Sequence, residues 1–333
     1  MYTITVTESE EGQRLDRFLK KYLTAAPLSL IYRLIRKDVK VGGKRVGTSY
    51  MLNAGDLITI YMRDEQIEEL IVSRKDKSDS SKAKRKFGII FEDDNILVVA
   101  KPFGLLTHGD RNEKKETLAN QIIGYLLEQG SYRPDTDRMF TPSPVNRLDR
   151  NTSGIVVFGK NPKAIRDFSK MFATAGCVEK QYLALVAGKL REELHLKDRI
   201  LKDGETNKVS VLPEESGEGK PAETIADPIE NIGPYTMVSV KLVTGRPHQI
   251  RAHLSEKGFP LIGDVKYGDK AKNALFTREY GLSAQFLHAD SLKVIRGLNT
   301  LEYLSGKEFL CPLPQRLEDI CEALRKKYRK VSR

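Results

Sequence analysis

The sequence predicts an α+β protein in two parts: a large domain on a mixed, mostly antiparallel sheet, and a small α/β domain before it. Three observations carry this reading. From FGIIFEDDNILVVAKP to about residue 310, short apolar, β-branched runs recur with few helical stretches between them, and regular β-α alternation is missing. Residues 1–62 carry two amphipathic helical patterns and a hairpin of their own. Between these blocks, residues 63–87 (RDEQIEELIVSRKDKSDSSKAKRKF) are mostly charged or Ser and read as a flexible linker. A chain of 333 residues is long enough for such a pair.

The first block starts with RLDRFLKKYL. Leu15, Phe18, Leu19, Tyr22 and Leu23 recur at offsets of three and four, which places them on one helical face. Asp16 then points away from that face as a solvated first-turn carboxylate favoured by the helix dipole. PLSLIYRLIRKDVKVGGKRV repeats the logic: Leu30, Ile31, Leu34 and Ile35 form the apolar stripe. Arg33, Arg36, Lys37 and Lys40 gather on the other side, joined by Lys44 and Arg45 after the Gly-Gly turn. On one helix such a face is ordinary solvated surface. Collected on one side of a two-helix unit, it predicts an RNA-phosphate reader.

Past the linker, strands are expected at 88–92, 95–100, 154–159, 181–187, 208–212, 222–232, 235–244 and 285–295. Helices are expected at 116–129, 162–175 and 247–257, with a last one in LPQRLEDICEALRKKYRK, where Leu317, Ile320 and Leu324 recur at helical spacing. The block 88–333 is therefore one domain.

Composition narrows the partners. Lys and Arg number 56 against 45 Asp and Glu, a net charge of +11, which favours a polyanion, with nucleic acid ahead of a membrane surface. Three cysteines without a CxxC pair fit a reducing cytoplasm rather than a disulfide framework or zinc site. The start, MYTITVTESEEG, lacks the features of a signal peptide, and no apolar run approaches bilayer length. No GxGxxG follows a strand and no GxxxxGK[ST] occurs, so neither a dinucleotide nor a nucleoside triphosphate is signalled.

Candidate chemistry lies in three segments. VNRLDRNTSG places Asp149 in a loop feeding a buried strand, flanked by Arg147 and Arg150; the plain alternative is a turn Asp capping Asn151 or Thr152 through its side chain. VTGRPHQIRAHLSEKGFPLIGDVKYG carries Arg246, His248, Arg251 and His253. On a helix over 247–257, Arg251 shares a side with His248 and is available to ion-pair with an Asp from another loop. Tyr182 opens an apolar strand, where it presents a flat face to a base or is simply a core aromatic. A metal held by His248, His253 and Asp264 is disfavoured, because five-residue spacing does not put both His on one helical face.

Two resemblances add to this. RLDRFL…IRKDVKVGGKRV…GDLI is similar to the S4 RNA-binding domain over about residues 12–62, with Gly42 where Asn is usual. EDDNILVVAKPFGLLTHGD, VNRLDRNTSGIVVFGK, KQYLALVAGKL, TGRPHQIRAHLSEKGFPLIGDVKYG and QFLHADSL, in that order, resemble the RluA-type pseudouridine synthases over nearly the whole chain. Two departures stand out: Asn146 replaces the usual His, with its positioning role expected to survive, and Pro247 replaces Thr or Ser.

The resemblance implies the pseudouridine synthase fold and isomerisation of uridine in RNA, without nicotinamide, ATP, metal or other cofactor. It implies Asp149 as the catalytic carboxylate, either attacking the sugar carbon or acting as a base. It further implies Arg251 as the partner of Asp149, and Tyr182 stacked on the uracil. Arg147 is then the side chain that fills the gap left by the flipped nucleotide, His108 is an RNA or base contact, and Arg246 and His248 are RNA contacts. Lys101-Pro102 reads as scaffold. The S4-like block and the wording THGD and KPAET are closest to the branch acting on large-subunit ribosomal RNA. That implies a ribosomal RNA partner, no membrane partner and a monomer. The rival expectation is an S4-bearing, ribosome-associated RNA-binding factor without turnover.

Overall fold

The computed structural model describes residues 1–8, 10–71, 84–110, 113, 115–134, 140–204 and 208–329. The amino-terminal unit contains β1 (Tyr2–Thr5), α1 (Leu15–Tyr22), α2 (Leu28–Lys37), β2 (Val39–Val41), β3 (Leu57–Ile60) and α3 (Asp64–Leu70). Its sheet runs β1-β3-β2, antiparallel throughout. The stripes of α1 and α2 close on it: Leu15, Phe18, Leu19, Ile31, Leu34 and Ile35 are buried with Ile58 and Ile60. The linker expected over 63–87 is corrected at both ends. Residues 64–70 form α3, whose Ile67 is fully buried in this core, and the Ala25 N–H donates to the Leu70 carbonyl at 3.0 Å. Phe87 is buried in the second unit. The middle of that stretch, 72–83, lies outside the described residues.

The second unit adds β4 (Gly88–Glu92), β5 (Ile96–Lys101), α4 (Leu118–Glu128), β6 (Ser143–Pro144), β7 (Ser153–Gly159), α5 (Pro162–Ala173), β8 (Val178–Ala187), β9 (Leu194–Lys202) and β10 (Val209–Leu212). It continues with β11 (Lys220–Ile232), β12 (Tyr235–Leu242), α6 (Gln249–Glu256), α7 (Lys270–Tyr280), β13 (Leu287–Val294), β14 (Glu308–Leu310) and α8 (Gln315–Arg329). Eleven strands form one sheet in the order β10-β9-β11-β12-β8-β13-β7-β5-β4, with β14 on β13 and β6 on β7.

Every pairing is antiparallel except β13 with β7, where His288 faces Ser153 and Ala289 faces Gly154. The α+β class with a mixed, mostly antiparallel sheet is therefore what forms. Alternate strand residues feed opposite faces. Tyr182, Ala184 and Val186 of β8 join α4 and α6 in one core, while Leu185 and Ala187 join α7 and α8 in another.

Four elements of this unit were not expected. The strand β6 is only two residues long. In β9 only Leu196 and Ile200 are buried, and charged residues between them hide the alternation. In α7 only Phe276 is buried, so its sequence shows no stripe. The strand β14 is three residues long. The helix expected at 247–257 starts later, at Gln249, because His248 takes a left-handed backbone (φ 52°).

Candidate active site

The site forms where the loop before β7, the middle of β8 and the start of α6 converge. Asp149 sits in a turn whose backbone carbonyl accepts the Thr152 N–H at 3.1 Å. The capping alternative thus uses the main chain, and the carboxylate remains available. That carboxylate is about 30% exposed, and its Oδ2 accepts from Nη1 of Arg251 at 2.7 Å.

Arg251 is buried and serves two carboxylates. Its Nε and Nη2 donate to Oδ2 and Oδ1 of Asp264 at 2.7 and 2.9 Å. Asp264 is fully buried, and its Oδ1 also accepts the backbone N–H groups of Lys266 and Tyr267. Burial opposes charge on both partners. Their mutual hydrogen bonds and attraction outweigh it, holding Arg251 above and Asp264 below its ordinary value. The guanidinium also lies 5.2 Å from the centre of the Tyr267 ring. In the sequence, Asp264 suggests no more than a third metal ligand. Here it is the fixed anchor that aims the remaining nitrogen of Arg251 at Asp149.

The loop carrying Asp149 is pinned from four sides. The Thr107 hydroxyl donates to the Leu148 carbonyl at 3.0 Å and accepts the Leu148 N–H at 3.3 Å. Lys101, 1% exposed, donates to the carbonyls of Pro102, Leu105 and Arg150 at 3.1, 2.7 and 3.1 Å. Burial pulls its pKa down to about 7, against the attraction of Asp149. Gln285 donates to the Thr152 hydroxyl at 3.3 Å. His288 Nε2 faces the Cys311 carbonyl at 2.8 Å, so it donates there, and Nδ1 accepts from the Ser153 hydroxyl at 2.8 Å.

Gly154 follows with φ +115°, and a Cβ there would lie 2.1 Å from the Ala289 carbonyl oxygen. Only glycine lets β7 and β13 close here, beneath the site. Asn146, the departure from the usual His, bonds β7 in both senses: Nδ2 donates to the Ile155 carbonyl at 3.1 Å, and Oδ1 accepts the Val157 N–H at 2.8 Å.

Tyr182 is 8% exposed and packs in the same core as Leu148, Ile250 and Leu254. Burial, with Asp149 and Asp290 nearby, pushes its hydroxyl well above the ordinary value, so the phenol stays protonated. His108 is partly buried, and burial together with Arg147 lowers its pKa. Arg147 itself is exposed beside it.

Arg246 lies further out, its Nε held by the Pro221 carbonyl at 2.9 Å. His248 faces inward: Nε2 is 3.9 Å from Oδ2 of Asp149. His253 turns away, its Nδ1 3.0 Å from the Thr224 hydroxyl. The set His248, His253 and Asp264 does not converge, and no group of three metal-ligating side chains occurs among the described residues.

The basic residues of the amino-terminal unit lie elsewhere. Arg33, Arg36, Lys37, Lys44 and Arg45 are exposed, and Lys40 is half-buried with Nζ 5.2 Å from the centre of the exposed Tyr61 ring.

A buried guanidinium clamped between one locked and one open carboxylate, beside a protonated tyrosine, offers a carboxylate suited to acid-base or covalent chemistry. Comparison with known proteins gives the class. The profile of the RNA pseudouridylate synthase family matches residues 95–256. The chain is 33% identical over 330 residues to the ribosomal large subunit pseudouridine synthase C of Vibrio vulnificus (strain CMCP6), covering 97% of this chain and 96% of that protein. It is 35% identical over 298 residues to the protein of the same name from Escherichia coli (strain K12), covering 87% of each.

Two human structures share the fold alone. RNA Pseudouridylate Synthase Domain Containing 4 has a TM-score of 0.53 at 22% identity, over 72% of this chain and 93% of that one. RNA Pseudouridylate Synthase Domain Containing 1 has a TM-score of 0.50 at 23% identity, over 72% and 95%. The chain belongs to the RNA pseudouridylate synthase family and is an RNA pseudouridine synthase.

Proposed function

We propose that this enzyme isomerises uridines of large-subunit ribosomal RNA to pseudouridine, with Asp149 as its catalytic carboxylate. Relatives named for the ribosomal large subunit, aligned over nearly their whole length, support the substrate. The observation that carries the catalytic assignment is the division of labour around Arg251. Asp264 takes two of its nitrogens, and the third donates to Oδ2 of Asp149, which leaves the other oxygen, Oδ1, free of any partner among the described residues.

The reaction breaks the bond from N1 of uracil to C1′ and forms one from C5 to C1′. C5 loses a proton and N1 gains one, so atoms and electrons balance without an oxidant, reductant or nucleotide. Asp149 acts at the ribose, by attack on C1′ or as a base. Burial of the base makes the site drier and strengthens the interaction between Asp149 and Arg251. Tyr182 offers a flat, protonated ring for the uracil to stack on.

The target atom is unreachable in stacked RNA, so the nucleotide flips out at a cost of a few kcal/mol. Arg147, exposed at the mouth, is the side chain we assign to the vacated gap, with His108 beside it. The exposed Arg33, Arg36, Lys37, Lys44 and Arg45, with Lys40, form a second, S4-like RNA face on the amino-terminal unit. We place the enzyme in the cytoplasm as a monomer; no helix among the described residues is long and apolar enough to cross a membrane.

The non-catalytic RNA-binding reading has no use for the Asp149–Arg251–Asp264 arrangement. The test is pseudouridine mapping on unmodified ribosomal RNA incubated without added metal or nucleotide. New pseudouridines with the wild type and none with Asp149→Asn are expected. RNA binding without new pseudouridine from either protein would contradict the reading.

A further inference from the structure

Asp149 has two basic side chains near it, and both face the same oxygen. Arg251 Nη1 donates to Oδ2 at 2.7 Å, and His248 Nε2 lies 3.9 Å from that atom. The position of His248 is enforced. Its φ of 52° makes it one of two non-glycine residues with positive φ among the described residues, the other being Asn299. Backbone of this kind persists only where its surroundings hold it, and such residues cluster at functional sites. The side chain is only 12% exposed. A residue meant to reach out to RNA phosphates does not need that burial or that backbone.

Tyr267 and Asp149 face opposite nitrogens of the His248 ring. The Tyr267 phenol oxygen lies 2.9 Å from Nδ1 of His248 and accepts the Val209 N–H at 2.8 Å. The phenol can donate to Nδ1 or accept from it; the Asp149 carboxylate facing Nε2 favours the hydrogen on that nitrogen, and the phenol then donates to Nδ1. The two rings meet edge-on, 5.7 Å apart at 68°. A neutral imidazole that accepts at Nδ1 carries its hydrogen at Nε2, the atom facing Asp149. The charged groups around the ring are Asp149, Arg251, Lys266 and Asp264. Burial and the two cations lower the His248 pKa, while the two carboxylates oppose this.

We propose that His248 is a positioning residue for the catalytic carboxylate: with its tautomer set by Asp149 on one side and Tyr267 on the other, it directs Nε2–H at Oδ2 of Asp149 and, together with Arg251, leaves Oδ1 as the oxygen that meets the ribose. The proposal rests on the functional reading above and goes beyond it. In this role His248 acts through Asp149, which differs from the RNA contact that the resemblance implies.

Two measurements test it. In the first, nitrogen NMR of histidine-labelled full-length enzyme, without RNA, reads the tautomer. The wild type should show His248 protonated at Nε2. Tyr267→Phe should mix the tautomers, and Asp149→Asn should move the Nε2 signal. A wild-type Nδ1–H tautomer, or an Nε2 signal indifferent to Asp149→Asn, would overturn the proposal.

In the second, pseudouridine formation is followed with His248→Asn, chosen because Asn tolerates the left-handed backbone while its side chain falls short of Asp149. We expect kcat to fall on the order of 10- to 100-fold with KM within about twofold, as for a misplaced catalytic group. A raised KM at unchanged kcat would make His248 an RNA contact and end the proposal. A wild type that forms no pseudouridine would instead sink the functional reading, and the nitrogen signals would still decide the placement of His248.

Discussion

The tetrapeptide Arg-Leu-Asp-Arg occurs at 14–17 and again at 147–150, and its two copies do opposite things with the same side chains. In both, the Leu is buried: Leu15 at 0% exposure and Leu148 at 7%. The Asp residues part company. Asp16 is satisfied locally, by Arg14 at 2.8 Å and by the Arg17 N–H at 2.8 Å. It is half-buried under Arg14 rather than freely solvated, a correction to the sequence reading. Asp149 finds its partner 102 residues away, at the start of another helix.

A local partner makes a carboxylate part of its own helix. A remote partner that is itself held by a third group fixes a carboxylate in space. The difference lies in the flanks. FLKKYL continues a helix after the first copy. Prolines before the second copy and a left-handed glycine after it force a loop into a strand.

The contrast predicts a graded set of effects. Asp149→Asn should lower turnover at least ~10²-fold while RNA binding persists, whereas Asp16→Asn should leave turnover within about twofold of wild type. Parallel rate and filter-binding assays check both, and equal losses would erase the distinction between the copies. Next comes Asp264→Ala, which leaves the Arg251 charge buried without its main partner. The loss should be about 3–5 kcal/mol of stability, read from the denaturant midpoint, with turnover falling as Arg251 loses its aim. Full stability in this variant would mean that Asp149 alone satisfies Arg251.

Lys101 sharpens the comparison through pH. Its folded pKa is lowered to about 7. Above that value the folded state gives up the proton while the unfolded chain, with an ordinary lysine, keeps it. The unfolded state then binds more protons, so this group's contribution to stability rises as pH climbs from about 7 towards the ordinary lysine value. Lys101→Met should flatten that rise in urea melts taken across the window. A slope identical to wild type would show that Lys101 does not titrate there.

The basic face of the amino-terminal unit should act on binding only. Replacing Arg33, Arg36 and Lys37 with Ala should weaken RNA affinity and lower the magnitude of its logarithmic salt slope by about two, with kcat unchanged. An unaltered slope would make the face ordinary surface. A modest effect on turnover is expected at Asn146→His. A ring nitrogen can replace one of the two bonds to β7, so turnover should change by no more than about tenfold. A larger change in the rate assay would show that the Asn is specifically required.

Much of this was legible beforehand because it is periodic or local. The stripes of α1 and α2, the alternating strands and the RLDR loop all announce themselves within a few residues. What was hidden is long-range. Nothing near Asp264 in the sequence says that it locks Arg251, although the GD and YG of LIGDVKYG mark a turn with polar residues in it. The Lys-Pro motif marks Lys101 as scaffold, but its three carbonyl partners come from two separate segments. The linker boundary lies later than expected because Ile67, set among acidic neighbours, docks α3 together with Leu70 and Ile71. Its burial depends on a surface built by residues far away in the chain.

The most direct test of the central claim is single-turnover pseudouridine formation on ribosomal RNA by Asp149→Asn and Asp16→Asn side by side. The predicted result is no product with the first and a rate near wild type with the second. Product formation at a near wild-type rate by Asp149→Asn would contradict the assignment of chemistry to the second copy.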